Sequence, residues 1–191
     1  MSRNKSFNQT EVLDKIKELF LHKGFNGTSV DDLVKATGLS RSSLYDTFGD
    51  KENLFKETLL LYREGGTQAM IEQIETSADI KKTISDIFEF IREDSANNKK
   101  LGCMMVNTAI ELAPHEKKIS KLIDEEMQDI QKALTNAIRK AQAKNKVSKK
   151  RSAEALAAMV LTCINGLRVA EKWGAEDKIY KEVKEIALSL F

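Results

Sequence analysis

Residues 29–51, SVDDLVKATGLSRSSLYDTFGDK, leave few choices of fold. Ser29 followed three residues later by Asp32 is a capping-box-like helix start. Val30, Leu33 and Val34 then give that helix one apolar face. Gly38 opens the turn Gly38-Leu39-Ser40, where the chain leaves the helix and a positive φ is often required. Ser40 caps a second helix, in which Leu44 and Phe48 stand four apart and share a buried side. Its other side carries Arg41, Ser42, Tyr45 and Thr47, short polar or cationic groups able to reach phosphates or base edges. A helix apolar behind, polar in front and crossed by a partner is the helix-turn-helix arrangement that enters a major groove. A plain helical hairpin with a solvated polar face would show the same two-helix pattern.

The flanks separate these readings. Upstream, Asn8 with Glu11 and Phe7 with Val12 mark a helix entry, and Val12, Leu13, Ile16, Leu19 and Phe20 form an apolar stripe ending at Gly24. Phe25 then closes over a small three-helix core. Downstream, Asp50 caps a long helix whose first turn holds Lys51. The combined text, KGFNGTSV followed by LVKATGLSRSSLYDTFGDKENLF, resembles the N-terminal domain of the TetR/AcrR family of one-component transcriptional regulators, continuously from about Val12 to Tyr62. GCMMVNTAIELAPHE, at 102–116, is similar to the ligand-domain signature of one branch of that family.

The resemblance implies an all-α chain of about nine helices. Residues 1–50 would be the helix-turn-helix domain, with the reading motif at about 29–48, and 51–191 a helical ligand-binding and dimerisation domain. The last two helices, about 152–191, would pair with their two-fold mates in a four-helix bundle. On this reading Arg41, Ser42, Ser43 and Tyr45 read or clamp the major groove of a double-stranded, palindromic operator, while Thr28, Ser40, Thr47 and Lys51 hold phosphates. A cation at Lys51 gains nothing from the dipole of the helix it opens; in the family the matching lysine meets DNA phosphate. Asp46 departs from the pattern, because many relatives carry a phosphate-compatible group there. Arg3 and Lys5 are further candidates for touching the DNA backbone.

Composition bounds the alternatives. Lys and Arg number 31 against 29 Asp and Glu, and the first 56 residues hold nine cations and eight carboxylates, so DNA affinity has to come from where the cations sit. One proline, nine glycines and no alternating strand pattern suit a helical protein. No apolar run is expected to reach the roughly 18 residues that span a bilayer, which places the chain in the cytoplasm without a membrane partner. Cys103 and Cys163 lack metal-ligand spacing and read as free thiols. The two histidines, His22 and His115, are far apart, and no HExxH, Walker, GxGxxG or Ser/His/Asp pattern appears, so neither catalysis nor a cofactor is expected.

Helix follows helix beyond Asp79. Gly65-Gly66 interrupts the long helix after Tyr62 and reads either as a break or as a flexible exit from the DNA-binding domain. A small-molecule inducer would sit in the larger domain, and the candidates to face it are Tyr62, Phe88, Met104, Met105, Asn107, Glu111, Met127 and Trp173, although methionines and aromatics at helical spacing are also ordinary core. Asn107 and Glu111, four apart on an otherwise apolar helix, need polar partners if buried. Cys103 opens that helix, where the dipole favours a thiolate, so a thiol-based oxidant- or electrophile-sensing repressor is the alternative. A helical dimeric module without DNA binding is a remoter one. Residues 130–153 contain eight Lys/Arg and no acid, and read as the solvated end of a helix and its loop.

Overall fold

A computed structural model of the protein describes residues 7–97 and 100–191. Arg3 and Lys5 therefore lie outside the described residues. The rest is helical, without a strand among the described residues: α1 Gln9–Lys23, α2 Val30–Thr37, α3 Arg41–Phe48, α4 Lys51–Tyr62, a π turn Arg63–Thr67, α5 Gln68–Glu75, α6 Ile80–Asn97, α7 Met104–Glu111, α8 Lys117–Ala143, α9 Ala153–Trp173 and α10 Asp177–Leu188. With the helical run through the π turn counted as one, the described residues form nine helices, as expected. Gly65 and Gly66 widen the helix rather than end it, and a Cβ on either would meet nothing within 4 Å. Packing therefore does not require glycine there. Single π turns inside α-helices are frequent at functional sites.

The chain forms two compact units, 1–65 and 66–191. The first closes well beyond residue 50, the expected boundary, because α4 packs against α1 and α3 and supplies buried Leu54, Phe55 and Leu59 to their core. Val12, Ile16 and Phe20 from α1, Leu33 from α2, and Leu44 and Phe48 from α3 complete it. The Phe55 ring meets Phe20 edge-on at 4.8 Å and Phe25 at 5.2 Å. Fully burying one such side chain contributes about 1.5–3 kcal/mol.

In the second unit α9 is the central element. Leu156, Val160, Leu161, Ile164 and Leu167 bury against Ile130, Leu134 and Ile138 of α8 and Ile84, Ile87, Phe88 and Ile91 of α6. This helix corrects one expectation: with a mean hydropathy of 1.4 it is long and apolar enough to cross a membrane by composition. It instead packs against α6, α7, α8 and α10. It also holds two buried charged residues, Arg168 and Glu171.

Polar links join the outer helices to this core. Arg92 of α6 pairs with Asp177 of α10 at 2.8 Å, Lys184 pairs with Glu89 at 2.9 Å, and Ser95 and Tyr180 share a hydroxyl–hydroxyl hydrogen bond of 2.9 Å. Arg92 and Lys184 together hold the Glu89 carboxyl below the ordinary carboxylate range.

Candidate nucleic-acid interface

The helix-turn-helix unit is assembled from local capping. At α2 the Ser29 hydroxyl accepts from Asp32 N at 3.1 Å, and the Asp32 carboxylate accepts from Ser29 N at 2.9 Å, a complete capping box. Lys23, at the end of α1, donates to the same carboxylate at 2.7 Å, which ties α1 to α2. The Lys23 ammonium and the Ser29 donors hold the Asp32 carboxyl far below its usual range. Gly38 takes φ 73° and its N–H returns to Val34 O at 2.9 Å, ending α2 in the left-handed turn that the sequence suggested.

Ser40 then starts α3, its Oγ accepting from Ser43 N at 3.1 Å and standing 2.9 Å from Ser43 Oγ. Leu44 and Phe48 point into the core at 1% and 2% exposure, which fixes the opposite face. There Arg41, Ser42 and Asp46 are exposed, and Ser43, Tyr45 and Thr47 are half-buried. Asp50 caps α4 through Asn53 N at 2.7 Å, while Asn53 Nδ2 donates back to Phe48 O at 2.8 Å, linking the end of α3 to the start of α4.

Two side chains that could meet DNA have partners the sequence did not disclose. Arg41 lies 3.6 Å from Asp31 of α2, both side chains well exposed, so the pair is easily exchanged for a phosphate or base. The Lys51 ammonium sits 4.3 Å from the centroid of the Phe25 ring, which positions it without neutralising it. Thr28 requires a correction. It is 1% exposed, and its hydroxyl donates to Gly24 O at 2.6 Å, so it seals the end of α1 rather than offering itself to a phosphate.

The residues expected around an inducer are dispersed. Tyr62, half-buried, belongs to α4 of the first unit. Phe88 is core of the second unit at 1% exposure, and Met104 and Met105 are buried on α7. Cys103 is the half-buried N-cap of α7. Asn107 Nδ2 donates to Leu101 O at 3.0 Å, closing the preceding loop, and Glu111 ends α7 half-buried. Met127 receives Asn165 Nδ2 at 3.6 Å. Trp173 does not face an interior at all: at the end of α9 it is 62% exposed, a second correction. None of these residues lines the small cleft of about 70 Å³ between α5, α6 and α8, bounded by Glu75, Asp79, Lys140, Lys144 and Val147, which is far below the size of an ordinary ligand site.

Comparison with known proteins agrees with this geometry. Residues 12–58 match the family of bacterial regulatory proteins, tetR family, and residues 78–186 match the tetracyclin repressor-like C-terminal domain. The uncharacterised HTH-type transcriptional regulator YezE of Bacillus subtilis is 33% identical over 74% of this chain and 73% of its own length. The HTH-type transcriptional repressor ComR of Escherichia coli is 25% identical over 99% of this chain and 91% of its own. Among solved structures, a cysteine mutant of the TetR family regulator CifR, complexed with double-strand operator DNA, superposes with a TM-score of 0.83 at 23% identity, covering 100% of both chains, and shares the fold. With both units matched by that family's domains, the chain belongs to the TetR family of DNA-binding transcriptional regulators and is not an enzyme.

Proposed function

We propose that the protein is a repressor that binds a palindromic operator as a homodimer in the cytoplasm and releases it when a small molecule occupies the second unit. The observation that carries this is α3, whose buried Leu44 and Phe48 lock the helix so that Arg41, Ser42 and Tyr45 stand on its outer side. Arg41 and Tyr45 would meet base edges, with Ser42 and Ser43 beside them, and Ser40, Thr47 and Lys51 would hold phosphates. The names of ComR and of IcaR from Staphylococcus aureus, a negative regulator of a biofilm operon, support repression as the direction of control.

The second unit supports pairing. Trp173, Ile179 and Ile186 are 62%, 39% and 67% exposed on the last two helices, apolar side chains that a second copy would cover. Two reading heads on a two-fold axis fit half-sites one helical turn apart. A coupling of about 1–3 kcal/mol between inducer and operator would change affinity roughly 5- to 150-fold. Control through the thiol of Cys103, at the start of α7, is the same scheme with a covalent trigger.

Selection of bound sequences from a random duplex pool tests this reading, with stoichiometry measured on the recovered duplex. A palindromic consensus bound by two chains is expected. A non-palindromic consensus bound by a single chain would overturn the dimeric reading.

A further inference from the structure

Of the seven cations of residues 139–151, Arg139 and Lys140 stand at the end of α8 and the other five occupy a turn that is built rather than loose. This segment joins α8 to α9 and contains no carboxylate, whereas the remainder of 66–191 carries fourteen cations against nineteen carboxylates. The second unit is therefore acidic except at this end. Gln142, 9% exposed, donates through Nε2 to Ser148 O and to Arg151 O, both at 2.8 Å. Lys146 N returns to Ala141 O at 3.0 Å, Asn145 takes φ 56°, and Val147 is buried at 4%. Ser152 then caps α9 by accepting from Ala155 N at 3.1 Å.

All seven cations are exposed on this framework. Arg139 pairs with Glu154, and Glu75 and Asp79 line the cleft beside Lys140, Lys144 and Lys146. No ion pair to Lys140, Lys144, Lys146, Lys149, Lys150 or Arg151 occurs among the described residues.

Like charges held this close oppose folding through mutual repulsion, so an ordered turn that concentrates them calls for a partner of high negative charge density. The large apolar side chain of the segment, Val147, is buried, so nothing on it can enter a lipid layer. It has no aromatic ring on which single-stranded bases could stack. Duplex DNA carries one charge per about 1.7 Å of axis and is bound by cations alone. We propose that the 139–151 turn is a sequence-independent contact for the phosphate backbone of duplex DNA, carried by the second unit in addition to the reading helix of the first.

The test uses the full-length chain and random-sequence duplex in a salt titration, with Arg41→Ala/Tyr45→Ala to silence the reading face. That variant should still bind, and adding Lys144→Gln, Lys146→Gln, Lys149→Gln, Lys150→Gln and Arg151→Gln should reduce the slope of log affinity against log salt by about 4.5, at about 0.9 per phosphate released. The five glutamines on an intact reading head should leave operator preference unchanged, so failure of this inference and failure of the operator reading give different results. Should the fivefold variant lose its thermal transition, Lys149→Gln/Lys150→Gln/Arg151→Gln replaces it, with an expected loss of about 2.5 in slope. An unchanged slope, or binding to anionic phospholipid vesicles in salt that abolishes duplex binding, would overturn the proposal.

Discussion

Glu171→Ala should destabilise the second unit by about 3 kcal/mol. The residue is fully buried: Oε1 accepts from Gly102 N at 2.9 Å and Oε2 from Arg168 Nη1 at 3.1 Å. Removing it strands a buried N–H, which costs about 1–3 kcal/mol. It also leaves Arg168, 9% exposed, with the Asp94 carboxylate at 2.5 Å as its main counter-charge. Breaking a buried pair outright costs about 3–5 kcal/mol. Because Asp94 stays, the two penalties combine to about 3 kcal/mol rather than to their full sum. Glu171→Gln keeps an acceptor for Gly102 and should cost about half as much.

Urea unfolding followed by fluorescence of Trp173, the chain's single tryptophan, reports on this unit, since Trp173 ends the same helix. With a slope of about 2 kcal/mol per molar urea, the alanine midpoint should fall by about 1.5 M. A shift below about 0.3 M, or a glutamine variant as damaged as alanine, would refute the argument that the buried carboxylate holds the 100–103 loop onto α9.

Three further outcomes follow from the same geometry. Gly102 sits at φ +68°, and a Cβ would lie 2.9 Å from Lys172 Cδ and 3.2 Å from Arg168 O, so Gly102→Ala should lower the thermal midpoint of this unit more than Gly66→Ala, where the space is open. Ser40→Ala removes the cap of α3 and should cost about 1 kcal/mol in thermal stability while weakening operator binding in fluorescence anisotropy; unchanged binding would mean that α3 is not the reading helix. Arg92 and Lys184 hold the Glu89 carboxyl below its ordinary value, and Lys181 and Arg92 do the same for Asp177. Their contribution is therefore present above about pH 4 and is lost as the pH falls through the lowered folded values. Glu89→Gln/Asp177→Asn should flatten the acid limb of the stability profile measured by circular dichroism.

What the sequence disclosed was local. The Ser29/Asp32 capping box, the left-handed Gly38 and the Leu44/Phe48 pair depend on residues a turn apart, so the second helix of the motif and its buried side were legible before any coordinates. The Thr28 hydroxyl is equally local but could have turned either way, and only the burial of Thr28 itself decides that it bonds inward to Gly24. The Asp94–Arg168–Glu171–Gly102 cluster joins residues about seventy positions apart, and no spacing rule reveals it. The compact unit runs to Gly65, past the expected boundary at 50 and up to the glycine pair that the sequence offered as an exit, because the phenylalanine cluster of Phe20, Phe25 and Phe55 draws α4 into it. Trp173 looked like ligand lining by residue type, and its 62% exposure places it on an outer face instead.

The central claim, that α3 reads DNA, is tested most directly by a mobility shift of the full-length protein on the DNA upstream of its own gene, compared with Arg41→Ala/Tyr45→Ala and repeated across salt. The parent should form a discrete, salt-sensitive complex that competing random duplex does not remove, and the double variant should lose that preference. Sequence preference retained by the variant at parental affinity would contradict the account.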